Sequence, residues 1–240
     1  MPLTSPVLSF IVPAYNEEFE LPRTLEAIRE AAGDREHEIV VVDDASTDRT
    51  AQIAHDAGAK LVSINRRQIA AARNAGARAA IGDVLFFVDA DTRINRKHVI
   101  GALAALNAGY AGGGARVRVE DSIPFWARVG LYFFCALYLA LNFGAGAFLF
   151  TTRSNFEATG GLDESLFIGE EVYFSLALRK LGRFKILNEP ITTSGRKLRM
   201  YSAAQILAHC FKVFFKGPRI ARSRAGLEIW YDGKRESGST

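Results

Sequence analysis

Two aspartates one residue apart, Asp89 and Asp91, close the apolar run Val84-Leu85-Phe86-Phe87-Val88. Side chains alternate along a strand, so the pair shares a face. At the open end of a buried strand, two such carboxylates suit a hard divalent cation that also holds phosphate oxygens. A phosphate-bearing substrate with a metal is the first chemistry the spacing suggests. The same residues also fit a strand that ends in a plain turn.

The elements that must position this pair recur along the chain. Leu8-Ser9-Phe10-Ile11-Val12 runs into Pro13-Ala14-Tyr15-Asn16-Glu17-Glu18, and Glu38-Ile39-Val40-Val41-Val42 runs into Asp43-Asp44-Ala45-Ser46-Thr47-Asp48. Each is a short β-branched run, bounded by turn formers and followed by a helix-like pattern, which reads as βα units around a parallel sheet. Ligands of open α/β sheets bind beyond the carboxyl ends of the strands, so polar residues at three such ends are expected to converge on one crevice. Periodicity predicts helices over 21–30, 49–57, 68–80, 96–106 and 170–181, with strands over 60–64, 115–119, 147–150 and 184–187. Ser154-Asn155-Phe156-Glu157 reads as a capping box opening a short helix that Gly160-Gly161 closes, and 202–215 reads as an amphipathic helix.

At these residues the chain resembles the family 2 glycosyltransferases of GT-A fold, which use nucleotide-sugar donors. The resemblance rests on Ile11-Val12-Pro13-Ala14-Tyr15-Asn16-Glu17-Glu18, Val41-Val42-Asp43-Asp44-Ala45-Ser46-Thr47-Asp48, Ala72-Arg73-Asn74-Ala75-Gly76, Asp89-Ala90-Asp91, and Gly160-Gly161-Leu162-Asp163-Glu164 followed by Gly169-Glu170-Glu171. Five blocks in the family's order, over residues 7–195, are far more specific than one Asp-X-Asp. The resemblance implies an α/β fold with a mostly parallel, Rossmann-like central sheet flanked by helices, followed by a C-terminal amphipathic helical segment. Residues 1–195 form the GT-A domain in this reading, with a donor half over 7–120 and an acceptor half over 121–195. Residues 196–240 form a basic tail.

The resemblance also implies roles. Pro13, Ala14, Tyr15 and Glu17 would hold the nucleoside, with the Tyr15 ring stacking on a base. Asp44 would accept from a base imide, which favours UDP-, GDP- or dTDP-type donors, because a carboxylate needs a ring N–H. Arg73 and Asn74 fall where family members approach the diphosphate or base, although an exposed helix face fits Arg73 as well. Asp91 would ligate Mg2+ or Mn2+, and Asp89 would meet the ribose or the metal's water shell. The family's late histidine is missing: Thr192-Thr193-Ser194-Gly195-Arg196-Lys197 stands there, so a hydroxyl or water replaces it and Arg196 or Lys197 adds positive charge to the diphosphate. Glu171 matches the catalytic base, with Glu170 as the fallback, although acidic residues also favour any helix N-terminus. In-line attack by a deprotonated hydroxyl implies inversion. Asp163 and Glu164 are expected to shape the acceptor loop.

Composition agrees without having suggested any of this. The 240 residues suffice for one α/β core, and no Pro/Gly/Ser linker demands two. Cys135 and Cys210 read as buried thiols of a reducing, cytoplasmic compartment, and the N-terminus lacks the regions of a secretory leader. Residues 1–195 carry 20 Lys and Arg against 23 Asp and Glu, whereas 196–240 carry 10 against 3. Aromatics interleave with these late charges, a combination suited to an anionic membrane surface, and no nucleic-acid recognition motif accompanies them. The uncharged stretch 129–152 is long enough to span a bilayer, but a span would separate Asp91 from Glu171. An interfacial helix on a peripheral membrane protein is expected instead, with a lipid or lipid-linked glycan hydroxyl as acceptor. A noncatalytic membrane-associated nucleotide-binding module is the alternative. A nucleotidyltransferase or dinucleotide oxidoreductase would need a glycine-rich phosphate loop after the first strand, where Pro13-Ala14-Tyr15-Asn16 stands.

Overall fold

The structure, a computed structural model, describes residues 5–119, 146–195 and 221–222. The elements in chain order are β1 (Leu8–Ala14), α1 (Leu21–Ala32), β2 (His37–Asp44), α2 (Thr50–Asp56), β3 (Lys60–Ile64), α3 (Ile69–Ala79), β4 (Val84–Val88), β5 (Thr92–Arg93), α4 (Arg96–Asn107), β6 (Tyr110–Val119), β7 (Phe148–Thr152), α5 (Arg153–Thr159), α6 (Glu170–Leu181) and β8 (Arg183–Thr193). All eight strands join one sheet in the order β3-β2-β1-β4-β7-β6-β8-β5. Strands β3, β2, β1 and β4 are parallel. Strand β7 then pairs antiparallel to both β4 and β6, and β6 runs parallel to β8.

Every residue of β4 is buried, as a central strand covered on both faces requires. Alternation sends Phe86 into one core with Leu21, Leu25 and Ile28 of α1 and Val99 and Ala102 of α4. Phe87 enters the other core, with Ala70 and Ala77 of α3, Phe156 of α5 and Phe174 of α6. Phe86 stacks on Phe10 with ring centroids 4.9 Å apart. Each fully buried aromatic of this kind contributes roughly 1.5–3 kcal/mol.

Helix α3 carries the Ala72-Arg73-Asn74 block and is held at both ends from outside. The Asp44 carboxylate accepts the backbone N–H groups of Arg66, Arg67 and Gln68, each at 2.7 Å, which ties down the turn that leads into α3. At the other end Arg153 donates to the carbonyls of Ala77 (3.2 Å), Ala80 (2.8 Å) and Gly82 (2.9 Å). A Cβ at Gly76 would collide with Ile11 and Val42, so glycine lets the helix lie directly on β1 and β2.

Several boundaries differ from the periodicity reading for physical reasons. Strand β1 continues through Pro13 and Ala14, which pair with Val42 and Asp43, so these two residues belong to the strand and not to the loop after it. Strand β6 starts five residues earlier than the expected 115 and runs through Gly112-Gly113-Gly114. A side chain at Gly113 would strike the Lys185 carbonyl and the Phe150 ring, so close strand packing selects the glycines. Strand β8 persists past Asn188-Glu189-Pro190 by way of a register shift opposite Ala115/Arg116. Helix α5 is capped by Thr152, whose hydroxyl accepts from Asn155 N at 3.2 Å, two residues before the expected Ser154, and ends at left-handed Gly160 as anticipated. Among the described residues no helix is long and apolar enough to cross a membrane. The apolar helix expected over 125–141, the amphipathic pattern over 202–215, Arg196, Lys197 and both cysteines lie outside the described residues.

Candidate active site

The three strand ends named from sequence open on one side of the parallel half, and their loops are laced together. Asn16 N donates to Ser46 Oγ at 2.9 Å and Thr47 N to Asn16 Oδ1 at 2.8 Å, while Glu17 N donates to Thr50 Oγ1 at 2.7 Å. Asn16, Ala45 and Arg67 adopt φ of 52°, 61° and 50°, a left-handed conformation costly for residues with a Cβ. All three lie beyond the carboxyl ends of β1, β2 and β3, where such strain accompanies ligand loops. The Arg67 guanidinium lies 3.3 Å from the centroid of the Tyr15 ring, so one face of the ring expected to stack on a base is covered by a cation. Asp44 sits below, buried, with three of its acceptor positions taken by backbone amides. It holds the turn that enters α3, and at most about one lone pair remains for a base imide. Glu17 is also buried.

Beyond β4 the carboxylates gather around one arginine. Arg73 is 1% exposed, which removes the exposed-face reading. Its Nη1 donates to Glu170 Oε1 at 2.8 Å. Its Nη2 donates to Asp89 Oδ1 at 2.8 Å and to the Gly146 carbonyl at 2.7 Å. A Cβ on Gly146 would lie 3.3 Å from Arg73 Nη2 and 3.6 Å from Glu171 Cδ, so Glu171 stands beside the same cluster. Burial lowers the Arg73 pKa, but Asp89, Glu170 and Glu171 outweigh it and raise the value above that of a free guanidinium. Burial raises both glutamates. Arg73 opposes this at Glu170, whereas the charge of Glu170 adds to it at Glu171, whose pKa is pushed up to about 8. The pair therefore holds a proton well above the ordinary carboxylate range, and Glu171 is the member that keeps partial solvent access in a crowded surround.

Asn74 does not face the crevice with a free amide. Its Nδ2 donates to the Leu162 carbonyl (2.8 Å) and Glu164 Oε1 (2.9 Å), and its Oδ1 accepts from Leu162 N (2.9 Å), so it pins the 162–164 turn onto α3. Gln68, which sequence reasoning missed, does the same, donating from Nε2 to the Glu164 carbonyl at 2.5 Å and the Leu166 carbonyl at 3.1 Å. Nothing local in the sequence marks it, because its partners lie almost a hundred residues away. Asp163 accepts from Ser165 N at 2.8 Å and shapes the same turn.

Asp91 meets the late block that stands in the place of the family's histidine. Thr193 Oγ1 donates to Asp91 Oδ1 at 3.3 Å, Ser194 N to the Asp91 carbonyl at 3.2 Å, and β5 pairs Thr92 with Thr193. Asp89 and Asp91 supply hard carboxylate oxygens that suit Mg2+ or Mn2+. Among the described residues no group of three Asp, Glu, His or Cys side chains could hold a metal. The carboxylates available at this strand end are two, and such a pair suits a hard cation only where phosphate and water oxygens complete its shell.

Comparison with known proteins fixes the family. The model of the family described as glycosyl transferase family 2 matches residues 9–163. The chain belongs to this family. The 4,4'-diaponeurosporenoate glycosyltransferase of Staphylococcus haemolyticus is 35% identical over 107 residues, 42% of this chain and 28% of the relative. The undecaprenyl-phosphate 4-deoxy-4-formamido-L-arabinose transferase of Pectobacterium atrosepticum is 33% identical over 129 residues, 48% of this chain and 38% of the relative. The chain thus covers well under half the length of these curated relatives. Among solved structures, the mannosyltransferase PcManGT from Pyrobaculum calidifontis in complex with GDP-Man and Mn2+ superposes with a TM-score of 0.68 at 21% identity, covering 97% of this chain and 70% of that one. S. aureus TarS 1-349 in complex with UDP gives a TM-score of 0.63 at 19% identity, covering 89% and 73%. The fold of this family 2 glycosyltransferase chain is GT-A, as the resemblance implied.

Proposed function

We propose that this chain is an inverting glycosyltransferase that moves a sugar from a nucleoside-diphosphate sugar to an acceptor hydroxyl. The observation that carries the reading is the gathering of Asp89, Glu170 and Glu171 around Arg73 beyond β4, with Asp91 two residues on, in a fold shared with GT-A neighbours solved with UDP or GDP-Man. Pro13, Ala14, Tyr15 and Glu17 contribute the nucleoside wall, with Tyr15 and Arg67 as a stacked platform. The lone pair left on Asp44 would read a base imide. Asp89 and Asp91 would hold Mg2+ or Mn2+, which neutralises the departing diphosphate when bound. Arg196 is the candidate for added positive charge at the diphosphate.

Glu171 is the proton acceptor in this reading. A phosphate acceptor is already anionic and needs no base, whereas a hydroxyl does, so a carboxyl poised near neutrality favours an alcohol. In the free protein Glu171 holds its proton below about pH 8, and it becomes a base as pH rises or as positive charge enters the crevice. The undecaprenyl-phosphate relative supports a lipid carrier in the acceptor, with the phosphate that its name gives as the competing acceptor group, and the basic composition of 196–240 supports peripheral contact with a membrane.

The test is donor turnover. UDP-, GDP- and dTDP-sugars incubated with the protein, Mn2+ and detergent-dispersed lipid alcohols should release nucleoside diphosphate with one of them as the sugar passes to the alcohol, and Glu171→Gln should abolish the release. Release of pyrophosphate from a nucleoside triphosphate and a sugar phosphate would place the chain among nucleotidyltransferases. Nucleotide binding without turnover would favour the noncatalytic module.

A further inference from the structure

Arg73 occupies a position from which it cannot leave without opening three elements. It projects from the middle of α3, a helix fixed at its N-terminus by Asp44 and at its C-terminus by Arg153. From there it reaches the end of β4 at Asp89, the approach to β7 at Gly146, and the first turn of α6 at Glu170, with three contacts of 2.7–2.8 Å. Both terminal nitrogens of the guanidinium are therefore engaged inside the protein, and the side chain has almost no exposed surface with which to meet a diphosphate. Asp89 itself is 27% exposed and Glu170 5%, so the arginine forms the buried floor on which the reachable carboxylates stand.

We propose that Arg73 is a positioning residue, a brace that fixes Asp89 and the Glu170–Glu171 turn relative to each other, and not a ligand of the donor's phosphates. The inference rests on the glycosyltransferase reading for its catalytic consequence, but the brace itself is a property of the fold. A guanidinium matches the task because its planar fork presents several N–H donors in fixed directions. The lysine ammonium is a point charge that cannot hold two carboxylates and a carbonyl in one plane. One cation holds Asp89 and Glu170 in place and acts also on Glu171 beside them.

The experiment compares wild type, Arg73→Lys and Arg73→Met in the full chain. Titration calorimetry with UDP, UMP, GDP and GMP in the absence of divalent cations, so that displacement of Asp89 as a metal ligand does not enter, reads whether the second phosphate meets Arg73. A brace leaves the diphosphate-to-monophosphate affinity ratio within about threefold of wild type while donor turnover falls by about a hundredfold, the usual consequence of misplacing reactive groups by an ångström. Arg73→Lys falls between the two. A ratio that drops about tenfold or more in Arg73→Met would assign the side chain to the diphosphate and overturn the proposal. A wild-type protein that binds none of the four nucleotides would count against the function proposed above. The brace is then decided by thermal unfolding of Arg73→Met, Glu170→Met and the double variant. Removing Arg73 strands the buried Glu170, and removing Glu170 leaves Arg73 with Asp89 and the Gly146 carbonyl alone, so the double variant should lose at least about 5 °C less in Tm than the two single losses summed. Additive losses would overturn it.

Discussion

Replacing Glu171 by glutamine should make the protein more resistant to unfolding at alkaline pH than at acidic pH. The ordinary value of such a carboxyl is 4.5, and in the folded chain it is pushed up to about 8 by burial and by Glu170. A folded-state pKa raised above the unfolded value contributes stability that is fully present below the unfolded pKa and lost as pH rises through the folded one. At about 1.4 kcal/mol per pH unit, the loss between pH 4.5 and pH 8 is roughly 5 kcal/mol if Glu171 titrates alone. Sharing of the proton with Glu170 lowers this toward about 2 kcal/mol. Glutamine keeps the shape and cannot ionise, so the difference in Tm between variant and wild type should widen by roughly 5–15 °C from pH 5 to pH 8.5, at about 2–4 °C per kcal/mol for a chain of this size. Differential scanning fluorimetry at half-unit pH steps reads the difference directly. A Tm difference that stays flat across the range would refute the raised pKa of Glu171.

Further expectations follow from other contacts. The pH dependence of donor kcat/KM should rise with one proton's slope to a midpoint near 8, reporting the free protein, and a profile that falls over pH 6–8 would remove Glu171 as base. Asp91→Ala should reduce the Mn2+-dependent part of nucleotide affinity by at least about tenfold, measured by calorimetry with and without the cation, because even outer-shell changes at metal sites cost that much. Asp44→Ala strands three amides at the buried start of α3 and should cost about 2 kcal/mol or more in urea denaturation, with little change in slope. Gly113→Ala forces a Cβ into the Lys185 carbonyl and the Phe150 ring, and should lower stability by about 1–3 kcal/mol in the same assay.

What the sequence disclosed and what it hid divide along physical lines. Strand β4 was legible because five apolar residues in a row, ending in polar ones, are too few for a buried helix and suit a central strand. Helix α3 was legible because its alanine-rich pattern is bounded on both sides. Strand β6 was expected only from 115 because local propensity counts the missing side chains of Gly112, Gly113 and Gly114 and not the neighbouring strands that forbid them. Strand β8 continues past Pro190 because a register shift accommodates a residue that cannot donate to the ladder. In the site, the carboxylates at strand ends were visible from spacing. The burial of Arg73 and the engagement of Asn74 were not, because their partners at 89, 146, 162, 164 and 170 are set by tertiary packing. Asp44 was read as a ligand group from its block, whereas the amides of 66–68 turn to it only when β3 and α3 come together.

The central claim is that the acidic crevice beyond β4 transfers a sugar with Glu171 as base. The most direct measurement follows nucleoside diphosphate release from UDP-, GDP- and dTDP-sugars with Mn2+ and detergent-dispersed lipid alcohols as acceptors, by wild type and Glu171→Gln, both checked for nucleotide affinity by calorimetry. The account predicts release from one donor class that falls by at least about a hundredfold in Glu171→Gln while nucleotide affinity stays within about threefold. Equal release by both proteins, at equal affinity, would contradict it.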